Sequence, residues 1–212
     1  AMWPIEEDDS FNPEQYTTVS ERLLGVVFGV AAQIVDEDIC LMEDVDRGAK
    51  VGLRWAKGPF ELMNRLGVAE AYRMASAYQQ LAGDTWSLPE FFKQQTSNLD
   101  FSYVDLHTED GIATITINRP EAMNALNEVV VEQLTQAVQT ANANDAVSTI
   151  VLDGAGKAFV AGADVKFFVD KIRSDSIPDI EVFTENVHVL LSALEDSTKT
   201  TVALTTGLAL GG

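Results

Sequence analysis

Cysteine is nearly absent: Cys40 stands alone in 212 residues, so no internal disulfide can form, and a reducing compartment suits the chain. Histidine is almost as scarce, with only His107 and His188, and no His/Cys cluster falls at the spacing of a zinc site. Basic residues are few, since 14 lysines and arginines face 33 aspartates and glutamates for a formal net charge of −19. That field repels nucleic-acid phosphates and anionic lipid, so neither is expected as a partner. Only six prolines occur in a chain that is 46% hydrophobic, a composition with enough apolar material for a core and unlike a disordered tract. No uninterrupted apolar run reaches the ~18 residues that suggest a membrane span. Ala1 to Ser10 has neither the basic start nor the apolar core of a signal peptide, and a cytoplasmic protein is the expectation.

The first hundred residues read at helical period. Ser20 to Leu41 carries Leu23, Leu24, Val27, Val30, Ala31, Ile34 and Val35 at three- and four-residue spacing, which predicts one packed face of an amphipathic helix. Glu43, Asp44 and Asp46 fall at the head of a small-residue stretch, so a second helix is expected to start at Asp44 or its neighbours, with the acids as a solvated terminus. EF-hand spacing is absent. Gly58-Pro59 forces a turn and predicts a third helix from Pro59; Val68 to Leu81 predicts a fourth. Ala82 to Glu90 ends the helical block, Phe91 to Asp100 reads as a mixed connector outside the core, and a domain boundary is expected near Asp100.

From Tyr103 the apolar period changes to two. Tyr103 to Ile117 predicts a β-hairpin turning at Asp110-Gly111, and Pro120 stops its second strand. Asn127 to Asn142 predicts a helix with Asn127 as cap and Val130, Leu134, Ala137 and Val138 inward. Val147 to Asp153 reads as a strand covered on both faces, and strand, helix, strand implies a right-handed crossover. A short helix over Lys166 to Arg173 follows, then a longer one over Ile180 to Leu194 with Val182, Phe183, Val187, Leu190, Leu191 and Leu194 inward. Thr200 to Leu204 predicts a last strand. His107 on a strand and His188 on a helix are expected to carry no chemistry.

One stretch organises this second half: Val151-Leu-Asp-Gly-Ala-Gly-Lys-Ala-Phe-Val-Ala-Gly-Ala-Asp-Val165, an apolar strand running into small residues. Small residues let a ligand lie against bare main chain, where backbone N–H groups can meet a developing negative charge. Gly207-Leu-Ala-Leu-Gly-Gly212 offers a second such edge, and two edges facing each other make an oxyanion hole. Taken by itself, Ala161 to Asp164 is also an ordinary strand-to-helix turn with Asp164 as N-cap.

Asn118-Arg-Pro-Glu-Ala-Met-Asn-Ala-Leu126, Lys157 to Val165 and Gly207 to Gly212, in that order, resemble the crotonase (enoyl-CoA hydratase/isomerase) superfamily. Glu43 to Lys50 followed by Lys57 to Leu62 is similar to the all-helical C-terminal domain of 3-hydroxyacyl-CoA dehydrogenases. Together these resemblances imply an α+β two-domain chain. A helical domain with its connector would occupy residues 1–100, and the first part of a crotonase-like α/β domain, a truncated ββα spiral, residues 101–212. The whole resembles a fragment of a fused bifunctional enzyme of fatty-acid β-oxidation.

The crotonase resemblance places one oxyanion donor on the N–H of Ala163 and the other on the N–H of Gly212. It lines the coenzyme A path with Ala122, Ala161, Ala163 and Val165, with Asp164 and Lys166 beside them; at Glu121 a basic residue would suit the phosphates better. An acyl-CoA or enoyl-CoA thioester is the implied substrate and a homo-oligomer the implied assembly. No metal or cofactor is expected on this chain, because NAD and the catalytic His/Glu pair of the dehydrogenases belong to a Rossmann domain and no Gly-x-Gly-x-x-Gly opens a βαβ unit here. In hydratases the two glutamates that activate and protonate water come after the glycine run, beyond Gly212, so no acid or base is assigned; Glu185 and Glu195 match no family motif. Isomerisation, thioester hydrolysis, and a non-catalytic acyl-CoA-binding or dimerisation module stay open beside hydration.

Overall fold

Asn12 opens the described structure by accepting, through its side chain, from the N–H groups of Glu14 and Gln15, and Pro13 then occupies the first helical position. In this computed structural model residues 12–94 and 97–211 are described; the Ala1 to Ser10 stretch and Gly212, both read above, lie outside them. The chain divides into two units, Ala1–Phe101 and Ser102–Gly212.

The first unit is helical: α1 (Pro13–Asp36), α2 (Met42–Gly52), α3 (Pro59–Leu66), α4 (Val68–Ala82) and the single turn α5 (Phe91–Gln94). The inward face of α1 differs from the expected one. Gly25, Phe28, Gly29, Ala31 and Ala32 are buried, whereas Leu23 is 63% and Val30 45% exposed. Close approach explains the rotation: a Cβ at Gly25 would stand 2.4 Å from the Met74 carbonyl oxygen on α4, and one at Gly29 2.7 Å from the Trp86 ring. Small residues therefore set the contact, and the larger apolar ones flank it. By length and composition α1 is the one described helix that could cross a bilayer; here its buried face belongs to the unit's own core, with Phe60, Met63, Ala71 and Ala75.

The acidic run is not simply a solvated terminus. Asp46 is 2% exposed, and its carboxylate accepts from the N–H groups of Phe60 (2.8 Å) and Glu61 (2.9 Å), so it caps α3 from the neighbouring helix. Gly58 has no room for a side chain, since a Cβ there would lie 2.2 Å from the Asp46 Cγ. Burial pushes the Asp46 carboxyl from 3.8 up to about 6, against the lowering effect of the two N–H donors. The folded protein thus holds a proton that the unfolded chain releases between those values, and Asp46 contributes less stability as pH rises through that window. Melting curves of the wild type and Asp46→Asn across it should show the steeper decline in the wild type; parallel slopes would contradict the burial.

Phe91 to Asp100 is no connector. Phe91, Phe92 and Leu99 are buried in the helical core, the Phe91 ring lies 5.4 Å from that of Phe60, and Asn64 brackets Leu99 by bonding both its N–H and its carbonyl. Three aromatic and aliphatic anchors without a regular period carry no signal that periodicity can detect.

The second unit comprises β1 (Val104–Glu109), β2 (Ile112–Ile117), α6 (Glu128–Ala143), β3 (Thr149–Gly154), β4 (Ala158–Val160), α7 (Val165–Arg173), α8 (Ile177–Glu195), β5 (Thr200–Ala203) and β6 (Leu208–Ala209). Its main sheet has the order β1-β2-β3-β5, antiparallel between β1 and β2 and parallel thereafter. The hairpin turns on Asp110 (φ 48°) and Gly111 (φ 78°), the paired left-handed residues of a tight two-residue turn. Ala113, Ile115 and Ile117 of β2 pack with Val130, Val131, Leu134 and Val138 of α6, Ile150 of β3, and Phe183 and Leu190 of α8. The inward stripe of α8 is narrower than its apolar content suggests: Phe183, Val187, Leu190 and Leu194 face the core, while Val182 and Leu191 are about half exposed. On β3 only Ile150 and Gly154 are buried, so that strand is not covered on both faces. The helical first unit followed by an α/β second unit is the fold class that the residue patterns imply.

Candidate functional site

Two loops of the second unit are stitched together before either reaches a ligand. After β2, a turn over Pro120–Ala122 leads to Met123 (φ 52°) and Asn124 (φ 56°), two consecutive left-handed residues. Asparagine tolerates that conformation best after glycine, and here both ends of its side-chain amide are bonded. Asn124 is completely buried; its Oδ1 accepts from the Arg119 N–H (2.9 Å) and its Nδ2 donates to the carbonyls of Ala155 (3.0 Å) and Ala158 (2.7 Å). The 119–126 loop is thereby pinned to the 155–158 loop.

The strand-to-helix segment 160–164 lies along the same loop. The Ala161 N–H donates to the Met123 carbonyl (3.1 Å), the Leu126 N–H to the Gly162 carbonyl (2.9 Å), and the Asp164 N–H to the Leu126 carbonyl (2.8 Å). In a trans peptide the C=O of one residue and the N–H of the next point in opposite directions. Gly162 turns its carbonyl to Leu126, so the Ala163 N–H points away from the loop. Ala163 is exposed, and among the described residues its N–H has no backbone or side-chain acceptor.

Asp164 then caps α7, its Oδ1 accepting from the Lys166 N–H (3.0 Å). Its Oδ2 accepts from Arg119 Nη1 (2.8 Å), which also donates to the Ala125 carbonyl (3.1 Å). Both partners of this ion pair are mostly buried, at 17% and 14% side-chain exposure, and the guanidinium carbon sits 5.6 Å from the Tyr103 ring centroid.

The second glycine edge meets the first. β6 runs parallel to β4, with the Leu208 N–H donating to the Lys157 carbonyl (3.1 Å) and the Leu210 N–H to the Val160 carbonyl (2.9 Å). Gly162 (φ 88°) and Gly211 (φ 70°) face each other: a Cβ on Gly162 would stand 3.1 Å from the Leu210 carbonyl oxygen, and one on Gly211 3.2 Å from the Gly162 Cα. Neither position has room or backbone geometry for a side chain.

Of the residues expected at the site, Ala161, Ala163 and Asp164 lie on this segment, while Ala122 is half-buried in the turn across the loop. Val165, 72% exposed, and the exposed Lys166 begin α7. The second expected donor, Gly212, lies outside the described residues. Glu121 is half-buried. The Asp164 carboxylate is committed to Lys166 and Arg119. Arg119 and Asn124 fall within the Asn118–Leu126 motif, where residue type and spacing give them no role; two polar residues flanking a proline turn are the available hint. Among the described residues no group of His, Cys, Asp or Glu is placed to hold a metal ion.

Residues 112–212 match the family described as enoyl-CoA hydratase/isomerase, and residues 19–103 that described as 3-hydroxyacyl-CoA dehydrogenase, C-terminal domain. The crotonyl-CoA hydratase of Syntrophomonas wolfei is 34% identical over 113 residues, which are 53% of this chain and 42% of that protein. The trans-2-decenoyl-(acyl-carrier-protein) isomerase of Streptococcus mutans is 28% identical over 113 residues, 53% of this chain and 43% of that protein. A solved enoyl-CoA hydratase from Shewanella pealeana aligns at 24% identity and a TM-score of 0.46, covering 49% of this chain and 39% of that one. The chain spans about two fifths of the length of the curated relatives it matches.

Proposed function

From the match of residues 112–212 to the enoyl-CoA hydratase/isomerase family and of residues 19–103 to the C-terminal domain of 3-hydroxyacyl-CoA dehydrogenases, we propose that the chain binds acyl-CoA thioesters and stabilises the enolate formed beside their carbonyl. The observation that carries the reading is the Ala163 N–H: it belongs to an exposed residue, is directed away from its own loop by the bonded Gly162 carbonyl, and has no acceptor among the described residues. Adding water across an enoyl thioester and moving its double bond both build negative charge on the thioester oxygen. A backbone donor ~2.7–3.1 Å from that oxygen stabilises the charge as it forms, at no cost in reorganisation.

On this reading the N–H of Gly212 is the second donor. Ala122, Ala161, Ala163 and Val165 form the wall along which the pantetheine and adenine lie, Asp164 holds that wall in place, and Lys166 offers a cation to the phosphates in a chain of net charge −19. The oxyanion role serves hydration and isomerisation alike, and no residue of this chain is assigned as the acid or base of either. The helical unit belongs to the dehydrogenase half of a bifunctional β-oxidation enzyme, where it contributes to a homo-oligomer while NAD is held by a separate Rossmann domain.

The test is a titration of the chain with a chromophoric, conjugated enoyl-CoA, whose absorption band moves to the red when its carbonyl oxygen accepts strong hydrogen bonds. A saturable red shift, competed by other acyl-CoA thioesters, is expected. A bound chromophore with an unshifted band would mean that its carbonyl meets no donor.

A further inference from the structure

We infer that Arg119 is the positioning residue of the oxyanion donor, orienting and polarising the Ala163 N–H through a relay of two peptide groups; this rests on the oxyanion role proposed above. The relay runs through two hydrogen bonds and two peptide groups. Arg119 Nη1 donates to the Ala125 carbonyl (3.1 Å). That carbonyl shares a peptide group with the Leu126 N–H, which donates to the Gly162 carbonyl (2.9 Å). The Gly162 carbonyl in turn shares a peptide group with the Ala163 N–H, the proposed donor. Each trans peptide passes the bond straight through, because its C=O and N–H point in opposite directions.

Two consequences follow from this connectivity. The first is orientation: both peptide planes are held from the carbonyl side, so the Ala163 N–H keeps its direction without a partner of its own. The second is electrostatic. A cation at the carbonyl end of a hydrogen-bonded chain draws electron density toward itself, and every N–H further along becomes a stronger donor; in condensed phases such cooperativity is worth ~10–30% per bond. The effect adds most as charge grows on the thioester oxygen, because the last N–H of the relay then has a charged acceptor.

The guanidinium is seated for this work. Asp164 Oδ2 holds the same Nη1 at 2.8 Å, the Tyr103 ring lies 5.6 Å from its central carbon, and the ion pair is shielded from solvent. Asp164 is itself tied to the segment it helps to orient, through its N–H on the Leu126 carbonyl (2.8 Å) and its Oδ1 on the Lys166 N–H (3.0 Å). An arginine that merely capped α7 through Asp164 would need no bond to Ala125. One that feeds the donor does.

The experiment compares wild type, Arg119→Met and Arg119→Lys in the chromophoric enoyl-CoA titration, with coenzyme A, which lacks the carbonyl, as the reference ligand. Arg119→Met keeps an unbranched side chain but loses both hydrogen bonds made by Nη1. Its bound chromophore should show a smaller red shift, and its preference for thioester over coenzyme A should fall by about tenfold, a part of the ~10²-fold that a 1 Å misplacement can cost. Arg119→Lys, whose single ammonium replaces the fork, should fall between the two. A purely structural arginine would weaken both ligands alike and leave the band of the bound chromophore where it is in the wild type; that result overturns the inference. Should Arg119→Met fail to give a cooperative melt, Arg119→Lys decides by the same criterion, a full wild-type band counting against the relay. An unshifted band in the wild type itself would instead sink the oxyanion role, and the relay with it.

Discussion

Ala163→Val is expected to lower enoyl-thioester turnover by an amount approaching the ~10²–10³-fold that follows loss of a single oxyanion donor. The position is exposed and lies between the β4 strand and the first turn of α7, paired with Leu126 only through its neighbours' backbone groups. A β-branched residue accepts extended backbone readily, so the fold should survive. Its two methyl groups would stand beside the residue's own N–H and crowd the path of the thioester oxygen. Ala163→Gly leaves the path open and serves as the control, with turnover near that of the wild type. Proline would be less telling, because it removes the N–H and strains the turn together. Both variants belong in the full-length natural polypeptide, with melting temperatures measured alongside turnover. Near-normal turnover in a well-folded Ala163→Val would reduce Ala163 to a turn residue.

Asn124→Ala is expected to cost the second unit on the order of 3–5 kcal/mol, since each buried polar group left without a partner costs roughly 1–3 kcal/mol. One buried group would be left, the Ala158 carbonyl, together with two half-buried ones that water can partly reach, the Arg119 N–H and the Ala155 carbonyl. The left-handed backbone adds about 1–2 kcal/mol for a residue without asparagine's local hydrogen bonding. Asn124→Asp is the sharper companion. It has nearly the same shape and keeps an acceptor for Arg119, but turns a carboxylate oxygen toward two carbonyls, so it should be at least as destabilised. All three tryptophans, Trp3, Trp55 and Trp86, fall in the first unit, so helicity lost without a change in tryptophan fluorescence reports the second. A loss below about 1 kcal/mol, the net worth of one ordinary hydrogen bond, would contradict the pinning role.

Elements declared by local chemistry were legible in the residues alone. Gly58-Pro59 marked the start of α3, Asp110-Gly111 the hairpin turn, and Asn127 the cap of α6, whose side chain accepts from the Val130 N–H as an N-cap should. What could not be read depends on partners far along the chain. Gly25 and Gly29 turn α1 toward α4 and Trp86, and no periodicity of large apolar residues records that contact. Asp46 is buried because α3, fourteen residues on, needs a cap. Phe91 and Phe92 join the helical core by way of Phe60 and Tyr72.

The same division runs through the site. Both glycine edges were visible as small-residue runs, and the small residues suggested exposed main chain. That Gly162 and Gly211 face each other required the β4–β6 pairing. The roles of Arg119 and Asn124 rest on hydrogen bonds to residues 45 and 34 positions away, and only the folded chain brings those partners near.

The central claim is that the Ala163 N–H meets the thioester oxygen, and the titration described for the wild type can be followed at that atom. With 15N-labelled protein, the Ala163 amide proton should move downfield as enoyl-CoA saturates the chain, because donation to a polarised carbonyl deshields it, and should stay near its free position with coenzyme A. An Ala163 amide that does not respond to saturating thioester, while amides elsewhere report binding, would contradict the claim.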